Sequence, residues 1–187
     1  MRASSHRRRL ANGCGCTESA AAAIVAGIPL YQTAIRPEWI DYNGHLRDAY
    51  YGLIISEASD ALMDRVGLDA AYRSRTGCTL YTVEMHLHFL HEVKQSDTAT
   101  VAVRILAVDQ KRIHAAFEIA RAGHTGIAAT AEILLLHVRQ QGDSAASAPF
   151  PAQVSAALAQ LASASAALEA AGPASRRIEL RPPRAPS

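Results

Sequence analysis

Five consecutive residues, Asp41-Tyr42-Asn43-Gly44-His45, concentrate side chains that can do chemistry. The Asp41 carboxylate can act as a nucleophile or as a base that activates water. The Asn43 amide can donate to a carbonyl or orient water, and the His45 imidazole can give up a proton or stabilise an oxyanion. Gly44 lets the backbone come close to a ligand without a Cβ in the way. Each residue also has a plain structural use: a turn aspartate bonds nearby amides, Asn-Gly is a common turn pair, and a histidine in a turn is often only a scaffold. The position of the stretch favours chemistry. An apolar segment of helical period begins at Asp48, so these polar groups stand at the mouth of a buried helix, whose free amides carry partial positive charge.

Other residues invite weaker readings. Glu57 lies midway along that helical segment at the margin of its apolar stripe, where it is either a working carboxylate or a solvated surface group. Glu84, His86 and His88 alternate along a strand-like run and so share one sheet face. Their types suit zinc, but nothing else in the chain supports a zinc site, and a solvated or oligomer-facing surface fits them better. Cys14-Gly15-Cys16 has no second Cys or His pair at a fitting spacing, and three cysteines form no disulfide framework, so no metal is assigned and a reducing, cytoplasmic setting is expected.

The elements that must position these groups can be read from periodicity. Leu30–Ile40 reads as a first strand interrupted by Pro37. From Asp48, the residues Ile54, Ala58, Ala61, Leu62 and Val66 fall on one stripe. Asp48 is the expected N-cap and Gly67 the C′ residue of a helix over 48–66. A polar loop with a short helical piece, 68–78, leads to strand-like runs at 79–93, 98–108, 113–121 and 127–138. In the first of these, Tyr81, Val83, Met85, Leu87 and Phe89 share a face. Short polar turns at 109–112 and 123–126 predict an antiparallel meander of the four runs. Pro149-Phe150-Pro151 opens a last helix with Val154, Leu158, Leu161 and Leu168 on one stripe and the small Ser165 among them, ended by Gly172-Pro173. Strand, long helix, then four antiparallel strands predict an α+β hotdog fold, a curled antiparallel sheet wrapped around one long central helix, with a C-terminal helix.

The charge distribution supports one domain between two basic ends. The chain of 187 residues has formal net charge +2. Residues 1–27 and 172–187 each hold four arginines against one acid, whereas 28–171 holds 11 basic and 15 acidic residues. An acidic core argues against a nucleic-acid-binding face, and no apolar run is long enough to span a membrane. The expected division is a disordered leader over 1–27, the globular domain over 28–171 and a disordered basic tail over 172–187. Arginines ahead of an apolar patch suggest a targeting peptide, but Glu18 interrupts and no cleavage site is evident.

The order Asp41, Asn43, His45 ahead of a buried helix resembles the hotdog-fold acyl-CoA thioesterases of the 4-hydroxybenzoyl-CoA thioesterase-like superfamily. Within them, Trp39 to His45, Asp48-Ala49-Tyr50-Tyr51, Tyr81-Thr82-Val83-Glu84, Lys111-Arg112-Ile113-His114, Ala129-Thr130-Ala131-Glu132 and Leu136-His137-Val138 are similar to the carnitine dehydrogenase-associated betainyl-CoA thioesterases. The resemblance covers residues 30–151. Where that subgroup reads Gly-His-Met-Asn, this chain has Gly44-His45-Leu46-Arg47. The resemblance implies hydrolysis of a small acyl-CoA, such as betainyl-CoA, with no cofactor. Asp41 would be base or nucleophile, Asn43 and His45 its catalytic partners, and Glu57 a further candidate carboxylate. Gly44 and Tyr51 would meet the substrate, Glu84 a cationic acyl group, and Lys111 and Arg112 the phosphates of coenzyme A. Trp39, Tyr42, Tyr50, Tyr51 and Tyr81 could face a quaternary ammonium. A homodimer or homotetramer is implied, with sites between subunits. The alternatives are a non-catalytic acyl-CoA-binding hotdog protein and a hotdog enoyl-CoA dehydratase.

Overall fold

The computed structural model describes residues 27–168; the expected leader with Cys14 and Cys16, the Gly172-Pro173 stop and the basic tail lie outside the described residues. The first strand, β1, is Ile28–Ala34, shorter than expected, because the chain turns at Pro37–Trp39 into a single 3-10 turn that buries Trp39. The long helix α1 runs Asp48–Val66, and its stripe is deeply buried: Ile54, Ile55, Ala58 and Leu62 are fully enclosed. At 19 residues it is about 28 Å long. Gly67, at φ 83°, ends it in the left-handed conformation, and Leu68 N–H closes the cap on the Met63 carbonyl at 2.8 Å. The expected N-cap is displaced by one residue. Arg47 holds the extended cap position because its N–H bonds to the Trp39 carbonyl at 3.0 Å, and Asp48 becomes the first helical residue, accepting from Ala49 N–H at 2.8 Å.

After the short helix α2, Ala70–Thr76, come β2 (Cys78–Phe89), β3 (Thr98–Val108), β4 (Arg112–Arg121), β5 (Ile127–Gln141), β6 (Ser144–Ser147) and α3 (Ala152–Ala166). The sheet order is β1-β3-β4-β5-β2, antiparallel throughout, with β6 attached to β5. This is the hotdog layout, with one correction to the meander. Of the four expected runs, β3, β4 and β5 follow one another as hairpins, but β2 pairs with the far side of β5. The link between β2 and β3 spans 90–97, too long for a tight hairpin, and it is anchored at the other end of the sheet by buried Val93 and by the pairing of Lys94 with His45.

A second correction concerns β2. A bulge between Thr82 and Glu84 resets the alternation. Thr82 and Met85 lie opposite Leu135 and Ile133, both buried, whereas Tyr81 lies opposite Leu136 on the outer face. Val83 sits at the bulge and is half exposed. Tyr81 is thus removed from the row it was expected to join, and its hydroxyl accepts from Gln140 Nε2.

Helix α3 protects an edge. β1 pairs with β3 only as far as Val103, and beyond it the Ile105 N–H donates to the buried Ser165 hydroxyl at 2.9 Å. Val154, Leu158 and Leu161 enter the core as expected, but Leu168 lies past the helix end and is exposed. Among the described residues no helix is long and apolar enough to cross a membrane.

Candidate active site

The Asp41–His45 stretch closes a small loop between two short extended pieces. Ile40 bridges Leu46, Asp41 N–H donates to the His45 carbonyl at 2.8 Å, and Gly44 N–H to the Asp41 carbonyl at 3.1 Å. Gly44 has φ 83°, a left-handed conformation that favours glycine, and a Cβ there would meet nothing. Its conformation, rather than crowding, selects the residue. The loop is fastened on both sides. Leu46 N–H bonds to the Val93 carbonyl at 2.7 Å, Arg47 Nε to the Ile40 carbonyl at 3.2 Å, and Trp39 stacks on Tyr50 with ring centroids 5.4 Å apart. Arg36 lies 4.8 Å above the Trp39 ring.

Inside this loop the Asp41 carboxylate is ordered by its neighbours. One oxygen accepts from Asn43 N–H at 2.8 Å and His45 N–H at 3.0 Å; the other faces the Asn43 side-chain amide at 3.4 Å. These donors, the His45 amide foremost, hold its carboxyl below the usual carboxylate range, so the group stays ionised at neutral pH. The structural use of Asp41 foreseen from the sequence is therefore real, and it fixes the backbone of His45.

His45 and Leu46 project from the loop into a cavity of ≈ 630 Å³ at the start of α1. Its other walls are Asp48 and Tyr51 from α1, Phe89 from the end of β2, Leu90 to Glu92 and Lys94 from the link to β3, and Arg121 from the end of β4. That volume suits a small organic ligand. His45 Nε2 is 3.0 Å from Glu92 Oε2. Tyr51 is buried, which pushes its phenol up, and it meets the half-exposed Phe89 edge to face at 5.1 Å. Lys94 and Arg121 supply cations. Asp97 accepts from Lys94 N–H at 2.8 Å and lies 3.9 Å from Arg121, tying both to one turn.

The structure divides the residues singled out from the sequence. His45 and Tyr51 share the cavity; Asp41, Asn43 and Gly44 form the loop behind His45 without lining it. Glu57 does not join them. It lies about 13 Å along α1 from the helix start and accepts from Tyr31 of β1 at 2.6 Å. Glu84 and Arg112 border a different cavity, of ≈ 500 Å³, with His86, Asp109, His114 and Glu132. There Glu84 pairs with His86 at 3.1 Å, and Arg112 is gripped by Asp109 through two contacts at 2.6 and 2.7 Å. Lys111 donates to Ser147 at 3.2 Å. Within one chain, then, Lys111 and Arg112 stand away from the His45 cavity, and its cations are Lys94 and Arg121. Of the five aromatic candidates for a cation, only Tyr51 lines it. Trp39 is buried and stacked on Tyr50, Tyr42 is almost fully exposed, and Tyr81 turns to the outer face.

Residues 35–158 match the thioesterase-like superfamily. The chain is 44% identical over 154 residues to the betainyl-CoA thioesterase of Pseudomonas aeruginosa, a match spanning 82% of this chain and 96% of that protein. It is 36% identical over 149 residues to the L-carnitine dehydrogenase/betainyl-CoA thioesterase of Rhizobium meliloti; there the match spans 80% of this chain but only 29% of the relative. A solved structure of a candidate thioesterase from Pseudomonas putida KT2440 superposes with a TM-score of 0.73 at 40% identity, over 83% of this chain and 98% of that one.

Proposed function

This chain belongs to the thioesterase-like superfamily and is an acyl-CoA thioesterase, and from that premise we propose that its substrate is betainyl-CoA and that Asp41, Asn43 and His45 carry the hydrolysis. The observation that carries the substrate reading is the match to a betainyl-CoA thioesterase over nearly that protein's whole length. The cavity supports it. A betainyl thioester joins a trimethylammonium to a phosphate-rich carrier, and one cavity offers carboxylates at Asp48 and Glu92, rings at Tyr51 and Phe89, and cations at Lys94 and Arg121.

In the reaction water adds across the acyl carbon–sulfur bond, giving the free acid and the thiol. Asp41 stays ionised, and a carboxylate held below its usual range is a weak proton acceptor but a standing anion. That favours attack on the acyl carbon over abstraction of a proton from water. In that course the acyl carbon sits where the Asp41–His45 loop meets the cavity rather than deep within it, the acyl–Asp41 anhydride forms as the carbon–sulfur bond breaks, His45 protonates the departing thiolate, and water then releases the acid. Asn43 and the Asp48 amide at the head of α1 are the candidate donors for the carbonyl oxygen, since the next two amides are taken by Asp48 and Arg47.

The active unit is a homodimer in this reading. Among the described residues β2 is an edge strand with unpaired backbone groups, and Val83, Met85, Phe89 and Leu90 are exposed along it and just beyond its end. A second copy laid along β2 covers them and closes the cavity walls that Phe89 and Leu90 form.

The test is release of free thiol from betainyl-CoA by the purified protein, beside acetyl-CoA and longer acyl-CoAs. Betainyl-CoA should have the highest kcat/KM of the series. Thiol release from the others with none from betainyl-CoA refutes the substrate and leaves the thioesterase standing.

A further inference from the structure

We infer that Glu92 is the residue that recognises the positive charge of the acyl group and so sets the preference for a cationic substrate. The inference rests on the betainyl-CoA reading above and adds the residue responsible.

The chemistry of the substrate limits where such a residue can be. In a betainyl thioester one methylene separates the ammonium nitrogen from the acyl carbon, so the two lie only about 2.5 Å apart by ordinary bond lengths and angles. A carboxylate that meets the charge must therefore stand beside the group that handles the thioester. Among the carboxylates near the loop, three can be compared. Asp41 has one oxygen held by two backbone amides and the other facing Asn43, and it does not line the cavity. Asp48 lines the cavity but accepts from Ala49 N–H at 2.8 Å at the head of α1. Glu92 lines the cavity, reaches His45 Nε2 at 3.0 Å, and remains well exposed, with 63% of its side chain open. It combines nearness to the imidazole with an open carboxylate.

The surroundings of Glu92 suit a methylated ammonium, which cannot donate hydrogen bonds and is bound by charge and by ring faces. Phe89, three residues earlier, lines the same cavity with its ring propped edge to face on buried Tyr51. Val93, next in the chain, is buried and takes the Leu46 N–H on its carbonyl, so the backbone carrying Glu92 is fixed to the catalytic loop. Lys94 and Arg121, on the same cavity, would repel a cation and are left for the phosphates of the carrier.

Glu92 could instead serve only to orient His45. The two roles separate when charge is varied at constant shape. The 3,3-dimethylbutyryl thioester of coenzyme A replaces the ammonium nitrogen by carbon and keeps the size. Wild-type protein should prefer betainyl-CoA to it, and Glu92→Gln should lower the ratio of the two kcat/KM values about fivefold, the scale of a partly exposed charge contact. Any loss shared by both substrates, arising through His45, cancels in the ratio. Glu92→Asp, which keeps the charge, should retain most of the preference, and it serves if Glu92→Gln fails to fold by circular dichroism. An unchanged ratio in Glu92→Gln with the preference intact overturns the inference, as does loss of the preference in Glu92→Asp as complete as in Glu92→Gln. Failure of wild type to cleave betainyl-CoA while it cleaves the neutral analogue overturns the substrate reading itself, and the inference with it.

Discussion

Asp41 is both the proposed anion of the reaction and the organiser of its own loop, and the two roles give opposite results for a pair of substitutions. Asp41→Asn keeps a carbonyl oxygen where one carboxylate oxygen accepts Asn43 N–H at 2.8 Å and His45 N–H at 3.0 Å. Among the described residues its one further hydrogen-bond contact is the 3.4 Å approach of the Asn43 side-chain amide, already near the limit of a hydrogen bond. The loop should therefore keep its shape, and the thermal midpoint should move by about 2 °C or less, as for a surface change. The charge is gone, however, and kcat for thiol release should fall about 10²- to 10⁴-fold. Asp41→Ala removes the acceptor as well, freeing two amides and the placement of His45, and should be at least as inactive and less stable. If Asp41→Asn keeps more than about a tenth of wild-type kcat while Asp41→Ala collapses, Asp41 is a turn residue and the reaction uses another group. The pH profile gives a separate reading. The loop amides lower the carboxyl, so the form that works persists below the ordinary aspartate value of about 3.9. A decline of kcat/KM as pH falls through 6 must then belong to a different group.

Three further outcomes rest on the packing and the charges. Ser165→Ala leaves the buried Ile105 N–H without its acceptor, which should cost about 1–3 kcal/mol and lower the thermal midpoint by roughly 3–9 °C; an unchanged midpoint means the edge of β3 is not held by α3. Asp109 accepts from Lys111 and Arg112 amides and grips the Arg112 guanidinium, which lowers its carboxyl to about 2. A depressed carboxyl stabilises above its unfolded value and loses that contribution as pH falls through the folded one, so the midpoint difference between wild type and Asp109→Asn should be full at pH 6, shrink below about 4 and vanish near 2. A difference that grows in acid would show the sign to be wrong. Val83→Lys sets a charge on the exposed edge of β2, and across the proposed two-fold contact it comes close to its own copy; light scattering should show a dimer for wild type and a monomer for the variant, and an undiminished dimer would remove β2 from the interface.

The fold was legible where local pattern and burial agree. The long helix announced itself through a stripe that the sheet buries, and Gly67 closes it where a left-handed residue was expected. Three misreadings share a cause, which is that pairing partners are not written locally. Nothing in 79–93 states that β2 will lie beside β5 rather than β3. Nothing in its alternation announces the bulge at Thr82/Glu84 that turns Tyr81 outward. β6, Ser-Ala-Ala-Ser, has no apolar alternation at all, and it takes up the β4 side of Val138–Gln141, which β4 is too short to cover, while β2 pairs on the other side. Asp48 is a good N-cap by type, but the bond from Arg47 N–H to Trp39 gives the cap position to its neighbour.

The candidate site was half legible for the same reason. Its loop is contiguous, so residue types at 41–45 suffice to propose it. The rest of the cavity comes from the end of β2, the link after it and the end of β4, which meet only because β2 and β4 flank β5 and Lys94 pairs with His45. Charge is the property least settled by residue type. Lys111-Arg112 looks like a phosphate clamp in one dimension, and within one chain Asp109, two and three residues earlier, takes both their backbone amides and the Arg112 guanidinium, away from the His45 cavity. Lys94 looks like a solvated link residue, yet its own carbonyl and amide serve the turn at Asp97 and its side chain is left to the cavity. The Asp-Gln-Lys-Arg hairpin satisfies its arginine internally, because an aspartate before a turn is placed to accept the next amides and the guanidinium three residues on. The search for a ligand's counter-charges is therefore better begun at cations with no acid within three residues on the same turn, or at those whose nearby acid bonds to backbone, as Asp97 does beside Lys94.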